Sequence, residues 1–183
     1  MIRCFDFFFA LLGLIFLMPI LIVLSILGFF DTGSPFFLQE RVGKNKKAFK
    51  LIKFRSMFLN TKSVATHLVS ARVITKYGKI LRASKLDELP QLLNVLMGDM
   101  SLVGPRPCLF NQEELIIERD KYEIYKIKPG VTGLAQINKI DMSTPELLAR
   151  TDAEMIANFS IQTYFTYIFA TLSGNGSGDR ITN

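Results

Sequence analysis

The segment SKLDELPQLLNVLMGDMSLVGPRP, residues 84–107, joins an acidic pair to a short apolar run and a proline-rich turn. Leucines recur over residues 89–96 at the i, i+3, i+4, i+7 spacing of one helix face, and Gly98 suits the C-terminal cap of that helix. Asp87 and Glu88 are therefore predicted at the helix N-terminus, where the helix dipole favours negative charge. This position alone allows two interpretations of the pair, helix capping or catalysis.

The acidic pair follows a long basic stretch. From Arg41 to Lys85 there are 13 Lys or Arg residues and no Asp or Glu. A solvated or lipid-facing basic surface explains part of this stretch. The same cations would hold a neighbouring carboxylate in its ionised form and attract a polyanionic substrate. This setting favours catalysis over capping for Asp87 and Glu88.

A membrane segment is predicted near the N-terminus, because residues 7–30 (FFFALLGLIFLMPILIVLSILGFF) include 24 positions without a charge. As a helix this run would be roughly 36 Å long, enough for a hydrocarbon core of ~30 Å. It is longer than the core of a signal peptide, and no small-residue cleavage site follows it. The basic residues after it, beginning with Arg41, predict a protein body on the cytoplasmic side.

Pro19 lies near the middle of this apolar run and would kink or break a helix there. A break would let the segment enter the bilayer and return to the same face. A spanning helix that tolerates the proline fits the residues equally well. The residues themselves leave both alternatives open.

The remaining chain predicts one α+β domain, predominantly helical, with surface amphipathic helices and a small β-hairpin formed around residues 36–39 and 49–54. Residues 1–30 form the membrane part of this domain, residues 31–172 its cytoplasmic body, and residues 173–183 a disordered tail. Two cysteines and one histidine exclude a disulfide framework and a zinc site of the usual kind.

Three motifs together resemble one bacterial family. RVGKNKKAFKLIKFRSM (41–57), the 84–107 segment with its DELPQ and GPRP motifs, and KPGVTGLAQIN (128–138) are similar to the monotopic phosphoglycosyl transferases, small initiating sugar transferases that act on polyprenol phosphate. The resemblance covers nearly the whole chain, to about residue 172. It implies transfer of a sugar 1-phosphate from a UDP-sugar to undecaprenyl phosphate with release of UMP.

The resemblance also implies residue roles. Asp87 would be the nucleophile that forms a covalent phosphosugar intermediate, and Glu88, together with Asp87, would hold Mg²⁺. Both assignments suit the chemistry, because an ionised carboxylate can attack phosphorus and Mg²⁺ prefers oxygen ligands. The residues implied to bind phosphate or nucleotide are Lys53, Arg82 and Arg106, with Pro105 and Pro107 holding the backbone around Arg106. For Lys53 and Arg82, lipid contact is the alternative.

For the membrane segment, the resemblance implies a re-entrant helix-break-helix at Pro19, which keeps a monotopic protein on the cytoplasmic face of the inner membrane. The family usually has Ser-Pro at the break, whereas this chain has Met18-Pro19. It also has Leu134 where relatives often have tryptophan, in a loop expected to line the sugar site. The family default for the sugar is an N-acetylated or diamino hexose.

The expected partners are a UDP-sugar, undecaprenyl phosphate and membrane lipids, without nucleic acid. A homodimer and cooperation with downstream glycosyltransferases in surface glycan assembly are further expectations. The competing hypothesis is a membrane-anchored basic binding domain without catalysis. It accounts for the cations but leaves Asp87, Glu88 and the GPRP motif without a role, and no aromatic stacking pattern accompanies the basic stretch.

Overall fold

The computed structural model describes residues 2–59, 61 and 73–174, and this part of the chain contains seven α-helices and two small sheets. The helices are α1 (Ile2–Thr32), α2 (Lys76–Ala83), α3 (Gln91–Met97), α4 (Glu113–Lys121), α5 (Leu134–Ile137), α6 (Pro145–Ala157) and α7 (Ile161–Leu172). The strands are β1 (Phe36–Val42), β2 (Ala48–Phe54), β3 (Ser101–Val103) and β4 (Gly130–Thr132). The predicted α+β, mostly helical fold class is confirmed. Most of the predicted tail, residues 175–183, lies outside the described residues.

The predicted β-hairpin is confirmed, with longer strands than the sequence indicated. β1 and β2 pair antiparallel, and their register joins Phe36 to Phe54 and Val42 to Ala48. Asn45 and Lys46 in the connection have positive φ angles of 54° and 58°, which allows the chain to reverse within a few residues. The hairpin brings basic side chains of both strands onto one face.

A second sheet was not predicted from the sequence. β3 pairs in parallel with β4, with Ser101 opposite Gly130 and Val103 opposite Thr132. A Cβ atom on Gly130 would lie 2.0 Å from the Gly104 nitrogen, so the two chain segments approach as closely as only glycine permits. This contact joins the GPRP motif to the KPG motif.

α3 matches the helix predicted around residues 89–96, and it ends at Gly98, whose φ of 94° is left-handed. The side chain of Asn94, which is fully buried, connects this helix to β2. Its Nδ2 donates to the Lys50 carbonyl at 2.8 Å, and its Oδ1 accepts from the Ile52 amide at 3.0 Å. The amide thus pairs with the strand as another strand would, and it sets the position of α3 against the hairpin.

The predicted division of the apolar segment into two helices is not observed. α1 is one helix through Pro19, and its buried residues lie on one face on both sides of the proline: Asp6, Ala10, Leu14, Leu24 and Gly28. Proline removes a single backbone donor, and packing of this face against the body holds the helix together across the gap. α1 is long and apolar enough to cross a membrane, with a mean hydropathy of 3.0 in its most apolar window. Its re-entrant position stays a prediction.

Both halves of α1 are bound to the body. Asp6 is 2% exposed, and its Oδ1 accepts hydrogen bonds from Ser101 Oγ, the Leu102 amide and Tyr164 Oη, each at 2.9 Å. Burial, reinforced by the Asp6 carboxylate, raises the pKa of Tyr164, so the phenol remains a donor. In the second half of the helix, Tyr77 Oη donates to the Leu24 carbonyl at 2.7 Å.

Candidate active site

The hairpin supplies Lys53 to the site. In the observed register, residues 37, 39 and 41 of β1 lie opposite 53, 51 and 49 of β2, so Gln39, Arg41 and Lys53 share one face. All three are buried. Arg41 Nη2 donates to Gln39 Oε1 at 2.6 Å, which orients its guanidinium along this face.

The acidic pair lies in a turn immediately before α3. Residues Leu86–Glu88 form one 3₁₀ turn that follows Lys85, whose φ of 57° is left-handed. The N-cap position of α3 is Pro90, and no side chain caps it. The acidic pair thus lies two and three residues ahead of the N-cap position, and capping, the alternative interpretation of the pair, gains no support from that position. Asp87 is 5% exposed.

The GPRP motif is held by its backbone on several sides. The Gly104 amide donates to the Thr132 carbonyl at 2.8 Å, and the Pro105 carbonyl accepts from the Gly130 amide at 2.9 Å. The Pro107 carbonyl accepts from Arg41 Nη1 at 3.1 Å. Pro105 and Pro107 further restrict the backbone on either side of Arg106. Arg106 is therefore presented by a rigid loop.

These three segments meet at Glu88. Glu88 Oε1 accepts from Lys53 Nζ at 3.2 Å and from Arg106 Nη2 at 2.6 Å. The side chains are largely shielded from water, with exposures of 10% for Lys53, 14% for Glu88 and 18% for Arg106. Charge pairs in such surroundings are screened less by salt than pairs on an open surface. The structure thus joins the hairpin, the DELPQ motif and the GPRP motif through residues 53, 88 and 106.

A small pocket opens beside this cluster. Three cations, Arg41, Lys53 and Arg106, contribute to its wall, and the other lining residues are Leu51, Gln91, Pro107, Gly130 and Val131. Positive charge concentrated in a concave surface attracts phosphate groups. The pocket has the chemistry of a phosphate-binding site.

Arg82 is not part of this cluster of ion pairs. Its Nε donates to Ser56 Oγ at 2.8 Å, just beyond the end of β2. The sequence-predicted role of Arg82 in phosphate binding stays a prediction, as do the roles of Asp87, Glu88, Lys53 and Arg106.

Mg²⁺ was predicted at Asp87 and Glu88. Within residues 2–59, 61 and 73–174, no three or more His, Cys, Asp or Glu side chains are grouped to hold a metal ion. Mg²⁺ needs no such group, because it is commonly held by one or two carboxylates together with substrate phosphates and water. The Asp87 and Glu88 carboxylates, which belong to neighbouring residues in sequence, fit that donor set, and Glu88 contacts two of the three cations that line the pocket.

Sequence reasoning missed two polar side chains of the pocket, those of Arg41 and Gln91. Arg41 was treated only as part of the basic stretch, although strand alternation from Lys53 through the hairpin would have put it on the same face. Gln91 follows Pro90 in the DELPQ motif and is 4% exposed. Its burial depends on how α3 packs, which spacing in the sequence does not reveal.

The family model described as "Bacterial sugar transferase" matches residues 1–175, and the chain belongs to this family. The family assignment made from the three motifs is thus confirmed, and the chain is a transferase rather than a binding domain alone.

Individual relatives match over nearly the whole chain. It is 39% identical to the exopolysaccharide production protein PSS of Rhizobium leguminosarum bv. phaseoli, over 93% of this chain and 92% of that protein. It is 35% identical to the exopolysaccharide production protein ExoY of Sinorhizobium fredii, over 93% of this chain and 83% of that protein. It is 34% identical to the undecaprenyl-phosphate galactose phosphotransferase of Salmonella typhimurium, over 92% of this chain but only 39% of that longer protein.

Proposed function

We propose that the protein transfers a sugar 1-phosphate from a UDP-sugar to undecaprenyl phosphate and releases UMP, as the first membrane step in assembly of a surface glycan. One observation carries this proposal: Lys53 and Arg106, two cations in the wall of the pocket, converge on Glu88, the neighbour of Asp87 in sequence. The similarity to an enzyme named for galactose phosphate transfer to undecaprenyl phosphate supports the same chemistry.

Asp87 acts as the nucleophile in this proposal. An oxygen of its carboxylate attacks the β-phosphorus of the UDP-sugar, and the bond to the bridging oxygen breaks, so that UMP leaves with the electron pair. An oxygen of undecaprenyl phosphate then attacks the same phosphorus. The aspartyl bond breaks, Asp87 is regenerated, and the sugar remains on a lipid diphosphate. The covalent step divides one displacement between two large anions into two easier ones.

The cations of the pocket bind the phosphates. Phosphoryl transfer depends on positive charge placed around the transferred group, and an arginine such as Arg106 can grip phosphate through two parallel hydrogen bonds. Arg106 and Lys53 both contact Glu88 in the structure. We therefore propose that substrate phosphates draw these cations from Glu88, which would leave its carboxylate able to hold Mg²⁺. Bound there with the Asp87 carboxylate, Mg²⁺ would neutralise charge on the phosphates.

The protein is proposed to lie on the cytoplasmic face of the inner membrane. α1 carries half of the large exposed apolar side chains among the described residues, and the helices packed against it add others at Ile80 of α2, Met97 of α3 and Phe169 of α7. Such a surface suits contact with lipid. It would allow undecaprenyl phosphate to reach the pocket from the membrane.

The proposal is tested with purified protein, Mg²⁺, undecaprenyl phosphate and a panel of UDP-sugars, with UMP release as the readout. The panel includes UDP-galactose, UDP-N-acetylhexosamines and a UDP-diamino hexose. We expect UMP release with one class of donor, and Asp87→Asn to lower its rate on the order of a thousandfold or more. Incubation with the UDP-sugar alone should add one sugar phosphate to the mass of the wild-type protein but not to that of Asp87→Asn.

Asp120→Asn is the matched control, because Asp120 is a surface carboxylate that pairs with Lys46 away from the pocket. This variant should retain wild-type turnover. Normal turnover by Asp87→Asn would contradict the nucleophile assignment. Binding of anionic lipid or nucleic acid without turnover of any UDP-sugar would support the basic binding domain instead.

A further inference from the structure

A buried ion pair lies directly behind the GPRP loop. Arg119 of α4 donates to Asp152 Oδ2 of α6 through Nε at 3.0 Å and through Nη2 at 2.7 Å. Their side chains are 2% and 1% exposed. The third nitrogen of the guanidinium, Nη1, donates to the backbone carbonyl of Arg106 at 2.8 Å.

The bond from Arg119 reaches the GPRP motif directly, at the residue proposed to bind phosphate. The carbonyl that accepts from Arg119 belongs to the same residue whose side chain reaches Glu88. A guanidinium is a planar fork, so two bonds to Asp152 determine the direction of the third nitrogen. Asp152 therefore orients Arg119, and Arg119 holds the backbone from which the Arg106 side chain extends.

The free energy of burying charge argues that the Arg119–Asp152 pair does more than stabilise the fold. Moving two charges out of water costs about as much as their attraction returns, and well-packed apolar replacements of buried pairs are often neutral or stabilising. Asp152 Oδ1 is also buried without a hydrogen-bond partner among the described residues, which adds cost. Burial raises the pKa of the Asp152 carboxyl, and Arg119 opposes that shift. The Arg119–Asp152 pair thus adds little net stability. Its specific effect on the structure is that it fixes the position of the Arg106 carbonyl.

We infer that Arg119 and Asp152 are positioning residues for the transfer reaction: they hold Arg106 where it can bind the diphosphate of the nucleotide sugar. This inference rests on the proposed function. Neither residue lines the cationic pocket, and both act through the backbone of Arg106.

The test measures UDP binding by the full chain in detergent, at a temperature where all variants are folded by circular dichroism. The main variant combines Arg119→Met with Asp152→Leu, which removes the pair without leaving a lone buried charge. We expect it to fold and to bind UDP roughly tenfold to a hundredfold more weakly than the wild type, because a displaced binding group loses its alignment. Arg119→Lys, which keeps the charge but loses the fork, should show a smaller loss in the same direction.

A double-mutant cycle separates positioning from stability. In an Arg106→Ala background, the Arg119→Lys change should alter UDP affinity by less than about twofold, because its effect passes through the missing side chain. Leu148→Ala is the control for lost stability, since Leu148 is a buried core residue of α6 outside this hydrogen-bond network. It should lower the melting temperature and leave UDP affinity unchanged.

Three outcomes would overturn the inference. These are wild-type UDP affinity in the Arg119→Met, Asp152→Leu variant, an equal loss from Arg119→Lys with and without Arg106, or a comparable loss in Leu148→Ala. Failure of the wild-type protein itself to bind UDP would overturn the proposed function, and this inference with it. If the paired variant does not fold, the Arg119→Lys cycle decides the question.

Discussion

A single oxygen, Glu88 Oε1, accepts hydrogen bonds from two cations that the proposed reaction needs for phosphate. In the proposed reaction, Glu88 would therefore stand where a substrate phosphate places its own oxygen, and it would compete with that phosphate for Arg106 and Lys53. Such competition would couple the binding of the nucleotide to the binding of Mg²⁺ by Glu88. Each ligand would then raise the affinity for the other by the same factor.

The competition predicts an unusual effect of Glu88→Gln. In buffer with EDTA, this variant should bind UDP about threefold to tenfold more tightly than the wild type, because the amide competes less well for the cations. Its turnover with Mg²⁺ should be lost. Calorimetric titration with UDP, with and without metal, measures both affinities.

Glu118→Gln is the control for this prediction, because Glu118 pairs with Lys121 within α4 and its side chain, 17% exposed, is about as shielded from water as that of Glu88. It should leave UDP affinity at the wild-type value. Equal or weaker metal-free binding by Glu88→Gln would show that Glu88 does not compete with phosphate.

At the scale of elements, the active site depends on how α3 is attached to the hairpin. Asn94 makes this attachment through two hydrogen bonds to β2, and the acidic pair lies one turn before α3 while Lys53 lies one residue beyond the bonded Ile52. One buried amide thus sets the distance between the carboxylates of one element and the cation of another.

Asn94→Ala should therefore destabilise the protein and disturb the site. Because it leaves the Ile52 amide and the Lys50 carbonyl without this partner and opens a cavity, we expect the free energy of unfolding to fall by about 2–4 kcal/mol. Thermal denaturation in detergent measures the change. Asn111→Ala, at an exposed position, should cost less than about 0.5 kcal/mol. Similar melting temperatures for the two variants would contradict the role of Asn94.

Local signals predicted some elements well and others not at all. The hairpin and α3 follow from strand alternation, leucine spacing and the left-handed glycine at position 98, all of which lie within a few residues of the element they define. β3 and β4 have three residues each and pair across 27 positions of sequence, so neither has a local pattern. The Arg119–Asp152 pair was missed for the same reason, since charged residues on two amphipathic helices are ordinarily solvated.

Proline also disturbed the helix less than its usual effect on a helix interior indicates. Pro19 predicted a break, yet α1 continues because packing on the body acts along both halves. The site motifs were found from sequence because they combine unusual residues at a characteristic spacing. Their meeting at Glu88 required the structure, which brings positions 53, 88 and 106 together.

At the scale of the whole molecule, the attachment of α1 limits how the protein can meet a membrane. Asp6 and the Leu24 carbonyl are 18 residues apart, roughly 27 Å along a helix, and both are hydrogen-bonded to the body. This separation is close to the ~30 Å thickness of the hydrocarbon core. A helix standing across the bilayer would therefore have to pull one of these anchors away from its partners. If the hydrogen bonds of both anchors are kept, the two ends of α1 stay on the same side of the membrane as the rest of the protein.

This argument predicts the location of the N-terminus, and Cys4 is a natural reporter because it is exposed, whereas Cys108 is buried. With the protein in the bacterial inner membrane, a membrane-impermeant maleimide should label Cys4 in inverted vesicles but not in intact spheroplasts. Lys47→Cys in a Cys4→Ser background marks the body at an exposed hairpin position and should label from the same side. Cys4→Ser alone should remain unlabelled in both preparations. Labelling of Cys4 and of position 47 from opposite sides would establish a spanning helix, and it would mean that the contacts of Asp6 are broken in the membrane.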